Sequence, residues 1–123
     1  FYNSELIMAE ETIFTKIING DIPSNKVFED DDCICIHDVS PQAPVHLLVI
    51  PRKPIPRLVD ASPEDKALLG HLLLKTGDIV RELGIDDAFR VIINNGANAG
   101  QTVFHLHFHI VAGKNFAEQK MVS

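Results

Sequence analysis

Apolar and polar positions alternate strictly across residues 105–110, in the segment 101–111 near the end of the chain. Such alternation is typical of a β-strand with one buried face, because successive side chains of a strand point to opposite faces. One face of this predicted strand carries Leu106, Phe108 and Ile110. The other face carries three of the six histidines of the chain, His105, His107 and His109. The pattern therefore predicts a row of imidazoles along a strand that packs on an apolar core.

Two other segments repeat apolar residues with a helical period. In the first, Thr12 can cap a short helix whose apolar residues lie four apart, and Gly20 ends it. The second begins at Ser62, where a serine is followed by a proline and two acids. Its apolar stripe continues to Gly84, which predicts a helix of about 20 residues. His71 lies alone in this helix and is interpreted as a structural or surface residue.

Further strands are predicted from the remaining apolar segments. Residues 26–29 and 33–37 flank a turn of three aspartates, which indicates a hairpin. Residues 45–50 are almost entirely apolar, as in a strand buried on both faces, and His46 is the polar exception. Residues 89–93 predict another strand, which leads into a loop rich in glycine and asparagine. Together with the histidine strand and the two helices, these segments indicate an α+β domain.

The overall charge argues against a polyanionic partner. The 123 residues carry a formal net charge of −6. A protein that neutralises the phosphates of a nucleic acid needs a basic surface, so no nucleic acid is expected as a partner. No apolar run approaches the roughly 20 residues that span a bilayer, so no membrane partner is expected either.

The length of the chain fits one small domain. This domain is predicted to span residues 8–123, with Met8 as its natural start and residues 1–7 as a tag or an N-terminal extension. The start lacks the charged and apolar regions of a signal peptide. Cys33 and Cys35 lie two apart on one strand face, which is a poor disulfide geometry and is typical of reduced thiols. A cytoplasmic location is the prediction.

A row of histidines can bind a metal or attack an electrophile. Two neighbours roughly 6.6 Å apart could share a zinc ion, but His105 and His109 would lie roughly 13 Å apart at the backbone. No metal is therefore predicted, and a zinc protein stays an alternative. The same spacing argues against zinc at Cys33, Cys35 and His37. The three aspartates of the hairpin turn are interpreted as a solvated loop, with a divalent cation as the alternative.

Nucleophilic attack on phosphorus fits the row better. A neutral imidazole nitrogen attacks phosphorus, and the phosphohistidine that forms is reactive towards water. The second ring nitrogen must keep its proton on an acceptor. Only His107 has a histidine on either side, so it is the predicted nucleophile, and its neighbours are predicted to supply protons and hydrogen bonds. Polar residues ahead of the strand can add hydrogen bonds, namely Asn94, Gln101 and Thr102.

The sequence resembles the histidine triad (HIT) family. The family signature, His-x-His-x-His followed by apolar residues, is matched by residues 105–111. The resemblance extends over about 100 residues and includes residues 12–18, 22–23, 28–30, 37–46 and 100–105. This wider pattern is similar to the histidine triad nucleotide-binding branch, which acts on purine nucleoside phosphoramidates. The resemblance implies a HIT-like α+β fold, with two helices and a five-stranded antiparallel sheet that continues across a homodimer.

The resemblance also implies a role for each matching residue. His107 corresponds to the nucleophile, and His109 to the residue that contacts the phosphate and the leaving group. His105 and His46 correspond to a supporting proton network, and Asp38 to the carboxylate that binds the ribose. The implied base pocket consists of Ile13, Phe14, Ile17, Ile22, His37 and Val39. The implied phosphate-side positions are Asn94, Gln101, Thr102 and Val103.

These roles imply a hydrolase that acts without metal or cofactor. It would cleave the P–N bond of AMP or GMP conjugates, such as AMP–lysine, through a nucleotidyl-histidine. Relatives that transfer nucleotides have glutamine where this chain has His109, which favours hydrolysis. The alternatives are a dinucleoside polyphosphate hydrolase and a nucleotide-binding regulatory or scaffold protein with incidental catalysis. The C-terminus departs from the family, whose members often end in a Trp-Pro-Pro-Gly-like segment that reaches the partner's site, because this chain has no tryptophan.

Overall fold

The computed structural model describes residues 11–116 of the chain. Residues 1–7, Met8 and the last seven residues therefore lie outside the described residues, and with them the predicted extension, the predicted start and the end of the divergent C-terminus. The described helices and strands are α1 (Ile13–Ile18), β1 (Lys26–Glu29), β2 (Cys33–His37), β3 (Val45–Pro51), α2 (Lys66–Glu82), β4 (Phe89–Ile92) and β5 (Phe108–Ala112).

The five strands form one antiparallel sheet in the order β1-β2-β3-β5-β4. The predicted α+β fold with two helices and a five-stranded antiparallel sheet is thereby confirmed. The strand with the histidines lies inside the sheet, because β5 pairs with β3 on one side and with β4 on the other. A position between two strands fixes the backbone of β5 on both sides.

Alternation along the strands creates a separate core on each face of the sheet. On one face, α2 covers Cys33, Cys35 and the apolar side of β5 with Leu72, Ile79 and Val80. On the other face, the short helix α1 places two side chains over the intervening strand positions, which are Ile34, Ile36, Leu48 and Ile50. Thr12 caps α1, since its hydroxyl accepts a hydrogen bond of 3.3 Å from the backbone N–H of Thr15.

The two cysteines are free and fully buried, as the sequence pattern predicted. Burial raises the pKa of Cys33 to about 12, with a further contribution from the charge of Asp30. Burial also raises the pKa of Cys35 to about 12. Both side chains are therefore thiols at neutral pH and behave as small apolar core residues.

The turn between β1 and β2 is more ordered than a plain solvated loop. The Asp30 carboxylate accepts 2.8 Å hydrogen bonds from the backbone N–H groups of Asp32 and Cys33. Its other oxygen lies 2.7 Å from Nε2 of His71 in α2. Burial raises the pKa of Asp30, but these hydrogen bonds outweigh it and lower the pKa to about 2. His71, which was interpreted as a structural or surface residue, therefore pairs with the turn at the protein surface.

Strand β5 begins later than the alternation predicted. The alternation predicted a strand that already includes His105 and His107, whereas β5 is Phe108–Ala112. The pairing of Val49 with Phe108 would place Leu106 opposite Pro51, and proline has no N–H to donate. The N–H of Leu106 instead donates to the carbonyl of Ile55, 2.7 Å away, in the loop after β3. The first two histidines of the row therefore precede the strand, although the alternation of faces continues through them.

Within residues 11–116, no helix is long and apolar enough to span a membrane.

Candidate active site

A pocket of about 280 Å³ lies beside α1, at the end of β2 and the approach to β5. Its size is near the lower end for small-molecule sites, roughly 300–1,000 Å³. Ten residues from the sequence prediction line it: Ile13, Phe14, Ile17, His37, Asp38, Val39, Thr102, Val103, His107 and His109. Ile36 and Leu48 also line it and were not predicted, although the alternation of β2 and β3 could have placed both on the α1 face.

The other predicted residues do not line this pocket. Ile22 packs against the core beneath α1, and His46 lies behind His109. His105 is buried at 1% exposure against the loop that follows β3. Asn94 lies near Gly100, where the chain turns towards the histidine segment. Gln101 is buried at 2% exposure within its own loop.

The hydrogen bond of His107 determines which ring nitrogen carries the proton. Its Nδ1 lies 2.7 Å from the backbone carbonyl of His105. A carbonyl oxygen only accepts hydrogen bonds, so Nδ1 of His107 must be the protonated donor. The lone pair of the neutral ring is then on Nε2. His107 thus enters the pocket wall as an imidazole whose free nitrogen can act as a nucleophile.

His109 has the opposite tautomer, which is set by a chain of two hydrogen bonds. The backbone N–H of Gln42 donates to Nδ1 of His46 over 2.9 Å. The proton of neutral His46 is therefore on Nε2, which lies 2.9 Å from Nδ1 of His109. Nδ1 of His109 accepts a hydrogen bond from this N–H, so neutral His109 carries its own proton on Nε2. Two neighbouring imidazoles, with ring centroids 5.0 Å apart, thus offer one lone pair and one N–H.

Burial keeps these rings neutral. Burial lowers the pKa of His107 below its ordinary value of 6.5, although the bond to the His105 carbonyl and the charge of Asp38 act the other way. The pKa of His109 is lowered to about 4 by burial and by the neighbouring His107 and His46, against the effect of Asp38. At neutral pH, His107 therefore keeps a free lone pair and His109 keeps a single proton.

Comparison with known proteins agrees with the site. Residues 19–116 match the HIT domain family. The chain belongs to this family. An uncharacterized HIT-like protein of Synechocystis is 61% identical over 110 residues, which are 89% of this chain and 96% of that protein.

Two solved HIT structures resemble the whole described domain. A HIT family hydrolase from Legionella pneumophila has a TM-score of 0.85 at 34% identity, covering 88% of this chain and 97% of the other. A histidine triad nucleotide-binding protein from Candida albicans has a TM-score of 0.75 at 31% identity, covering 88% of this chain and 85% of the other.

In this HIT domain, His105 braces the site rather than lining it. Its Nε2 lies 2.7 Å from the carbonyl of Pro51, so Nε2 carries the proton and ties the segment to the end of β3. Its Nδ1 is buried and has no hydrogen-bond partner among the described residues. Its backbone carbonyl holds the proton of His107. Burial lowers the pKa of His105, which keeps the ring neutral. His105 therefore positions the His107 ring and fixes its tautomer, and its own side chain does not line the pocket.

Gln101 braces the loop in a similar way. Its amide oxygen accepts a 2.8 Å hydrogen bond from the backbone N–H of Gly96. Its amide nitrogen donates to the carbonyls of Pro56 and Val103, at 2.7 and 3.1 Å. The polar atoms of this side chain are therefore used within the protein. Gln101 was predicted on the phosphate side of the site. Its side chain contributes there by positioning Thr102 and Val103, which line the pocket.

Asp38 lines the pocket and directly follows the end of β2. One carboxylate oxygen accepts a 2.7 Å hydrogen bond from the backbone N–H of Ser40. The other oxygen lies 3.4 Å from Nε2 of His46. The adjacent Val39 is 99% exposed and the Asp38 side chain is 17% exposed, so an apolar side chain and a partly buried carboxylate lie side by side at the pocket. Such a pair suits a ligand with an apolar ring and hydroxyl groups.

Two groups of side chains in the described residues have atoms close enough to bind a metal. The first, Asp38, His46 and His109, belongs to this pocket. A metal there would have to break the hydrogen bond between His46 and His109 that sets their tautomers. The second group lies on the opposite face of the sheet and consists of Asp30, Cys33 and His71.

The pH dependence of turnover follows from the lowered pKa of His107. Protonation of Nε2 removes the lone pair, and a pKa below 6.5 means that more than half of the protein remains unprotonated there at pH 6.5. We expect kcat/KM to keep more than half of its neutral-pH value at pH 6.5 and to fall further at lower pH. A pH profile with a hydrolysable nucleotide measures this. A half-maximal point above pH 6.5 would contradict the assignment of a buried neutral nucleophile.

Proposed function

We propose that this HIT protein is a hydrolase of purine nucleoside phosphoramidates, in which AMP or GMP is joined to an amine such as the side chain of lysine. It would cleave the P–N bond through a nucleotidyl-histidine on His107. The observation that carries this proposal is the 2.7 Å bond from Nδ1 of His107 to a backbone carbonyl, which leaves Nε2 as the attacking atom. No metal or cofactor takes part in the proposed reaction.

The first step would form the covalent intermediate. Nε2 of His107 attacks the phosphorus, and the bond between phosphorus and the amine nitrogen breaks. The leaving nitrogen takes a proton from solvent and departs as a neutral amine, while the N–H at Nε2 of His109 donates a hydrogen bond to the reacting phosphate and His109 stays neutral. The ring of His107 then carries the nucleotide on Nε2 and keeps its proton on Nδ1. The carbonyl of His105 stabilises the positive charge that this ring gains.

The second step would release the nucleotide by hydrolysis. A water molecule attacks the phosphorus and releases a proton to solvent, while the N–H at Nε2 of His109 still holds a phosphate oxygen. The bond between phosphorus and His107 breaks, and the nucleoside monophosphate leaves. Relatives that transfer nucleotides have glutamine at position 109, so the histidine here favours hydrolysis over nucleotide transfer.

Recognition of the nucleoside is assigned to the first part of the chain. Asp38 would bind the two ribose hydroxyls with its two oxygens. The base would lie against the apolar side chains of Ile13, Ile17 and Val39, which line the pocket. Phe14 packs edge-on against His107, with centroids 4.9 Å apart and planes at 80°, so that it supports the nucleophile from the base side.

The relatives support a hydrolase that acts on a nucleotide. The Legionella protein is called a HIT family hydrolase, and the Candida protein a histidine triad nucleotide-binding protein. Neither name specifies a phosphoramidate. The choice of this substrate rests on the wider sequence resemblance.

Trapping the intermediate tests the proposal. We expect intact mass spectrometry, after rapid mixing with an AMP–amine conjugate, to detect one added nucleoside monophosphate that acid removes. His107→Ala should form no adduct, and His71→Ala, a histidine outside the pocket, should form it normally. Turnover without an adduct in the native protein would mean that water attacks directly. A diadenosine polyphosphate turned over faster than the AMP–amine conjugate would reject the phosphoramidate.

We also propose that two copies of the chain pair along β4. This strand is an edge of the sheet, and its Val91 is 37% exposed. An exposed apolar edge strand invites a further strand. On α2, Leu73 and Leu74 are 56% and 73% exposed, which leaves apolar surface for a partner on the same domain. A second copy of this chain would cover both surfaces and continue the sheet.

Light scattering coupled to size exclusion tests the pairing. We expect the native chain to have twice the mass of one chain, and Val91→Lys to shift the protein to the monomer, because a lysine would be buried at the centre of the paired edge. Val59→Lys is the matched control, since Val59 is 75% exposed in the segment Leu58–Asp60. A native chain that elutes as a monomer, or a Val91→Lys variant that stays dimeric, would count against pairing along β4.

A further inference from the structure

A second cluster of reactive side chains lies on the face of the sheet opposite the pocket. It joins the turn between β1 and β2 to the first half of α2. The Asp30 carboxylate lies 2.7 Å from Nε2 of His71, and the nitrogen, sulfur and oxygen atoms of Asp30, Cys33 and His71 all lie within 4.8 Å of one another. The proposed reaction uses none of these three residues.

We propose that Asp30, Cys33 and His71 form a binding site for Zn²⁺ or a divalent transition-metal ion with the same ligand preference. A thiolate, an imidazole and a carboxylate are the three side-chain types that bind zinc in proteins. They come here from two separate elements, and packing between those elements, not sequence spacing, brings them together. An ion at this site would connect the hairpin turn to α2.

The distances are compatible with tetrahedral coordination. Zinc binds sulfur at about 2.3 Å and nitrogen or oxygen at about 2.0–2.2 Å, so its ligand atoms lie roughly 3–4 Å apart. The three donor atoms already lie within 4.8 Å of one another, and Asp30 and His71 would only need to separate slightly from their hydrogen bond. Asp32 can complete the site, because one of its carboxylate oxygens lies 3.8 Å from Nε2 of His71.

Exposure gives the ion a route into the site. The side chains of His71 and Asp30 are 30% and 24% exposed, and that of Asp32 is 57% exposed. Cys33 is fully buried and forms the floor of the cluster. An ion can therefore approach from solvent through the carboxylates and the imidazole and meet the sulfur last. On binding, the thiol proton of Cys33 would pass to solvent, and His71 would bind through Nε2 with its proton on Nδ1.

The charges around the cluster favour a cation. Three aspartates form the turn, and Glu29 precedes it at the end of β1. The guanidinium of Arg52 lies 3.0 Å from the Glu29 carboxylate and donates to the backbone carbonyl of Asp30 at 2.8 Å. Lys26 is also directed to Glu29, at 3.7 Å. These two basic side chains are therefore directed to Glu29 and a backbone carbonyl, and not to the aspartate carboxylates that would bind the ion. Release of a proton from a buried thiol makes binding weaker than at a site of four cysteines.

Titration with Co²⁺, which takes the same ligands as zinc and absorbs light when bound to a thiolate, tests the site. We expect one equivalent of Co²⁺ to produce the sulfur-to-cobalt charge-transfer absorption in the native chain. Cys33→Ser should abolish this absorption. Cys35→Ser is the matched control, because Cys35 is an equally buried thiol on the same strand face, and it should keep the absorption.

Variants at the surface of the cluster guard against a misfolded Cys33→Ser protein. His71→Gln and Asp30→Asn, which change exposed side chains, should weaken the cobalt absorption while the far-ultraviolet circular dichroism stays native. With Zn²⁺ at about 100 times its dissociation constant, the equilibrium constant of unfolding should fall about 100-fold, seen as a higher thermal midpoint. The proposal is wrong if no thiolate absorption appears, if it persists in Cys33→Ser, or if metal binding disappears only in His109→Ala, which would place the ion in the pocket.

Discussion

His107→Ala is expected to lower kcat for an AMP–amine conjugate by about 10⁴- to 10⁶-fold, the loss typical of removing a nucleophile from a preorganised site. Alanine cannot form the covalent intermediate, and the remaining groups can only position the substrate. Steady-state release of the amine measures the effect. Binding of AMP, followed by calorimetry, should change much less, because Asp38 and the apolar wall of α1 remain.

The matched control for this prediction is His71→Ala, which removes an imidazole on the other face of the sheet and should leave kcat near the native value when no metal is added. A loss of less than about tenfold in His107→Ala, about 1.4 kcal/mol of transition-state stabilisation, would show that another residue attacks the phosphorus.

Phe108→Ala is expected to have the largest effect on stability. Phe108 is 2% exposed and lies in the core between the sheet and α2. Replacing a buried phenylalanine with alanine costs about 3–5 kcal/mol, out of a total of roughly 5–15 kcal/mol for a domain of ordinary stability. Urea unfolding followed by far-ultraviolet circular dichroism measures the change in the free energy of unfolding.

Phe104→Ala provides the comparison within the same segment. Phe104 is 42% exposed, so its removal should cost much less. Because His107 and His109 flank Phe108, partial collapse of the core should also disturb their geometry and lower activity in the folded fraction. If the two variants lost similar stability, the packing of β5 against α2 would be assigned wrongly.

The strands and helices could be predicted from the sequence because each has a local signal. The period of two ahead of and within β5, the aspartate turn between β1 and β2, the Thr12 cap of α1 and the Ser62 capping box ahead of α2 each act within a few residues. The start of β5 depended on a partner outside the segment. Pro51 has no N–H to pair with Leu106, so the pairing of β3 with β5 ends before it. The N–H of Leu106 donates to the carbonyl of Ile55 instead. The alternation of apolar and polar residues within one segment does not show which residues of another segment it will pair with.

The candidate site also combines residues that the sequence could predict with contacts that it could not. Histidine spacing was sufficient to select His107, and the family resemblance located Asp38 and the α1 residues that line the pocket. Neither source predicted that Gln101 would use its amide on three backbone groups, since one of them, the carbonyl of Pro56, belongs to a loop 45 residues away. The contact between Asp30 and His71 was missed for a related reason, because 41 residues separate them and only the packing of α2 brings them together.

The two reactive histidines owe their tautomers to main-chain groups, the carbonyl of residue 105 and the amide of residue 42. An amino-acid substitution changes the side chain and leaves the backbone carbonyl and N–H in place. Most single substitutions at positions 105 and 42 therefore retain the backbone groups that set the two tautomers. At position 42, any amino acid with a backbone N–H can fulfil the role, and only proline would remove the donor on which His46 depends. The chemistry of this domain can therefore survive wide drift in the residues around it, and mutational scanning should find position 42 tolerant of every substitution but one.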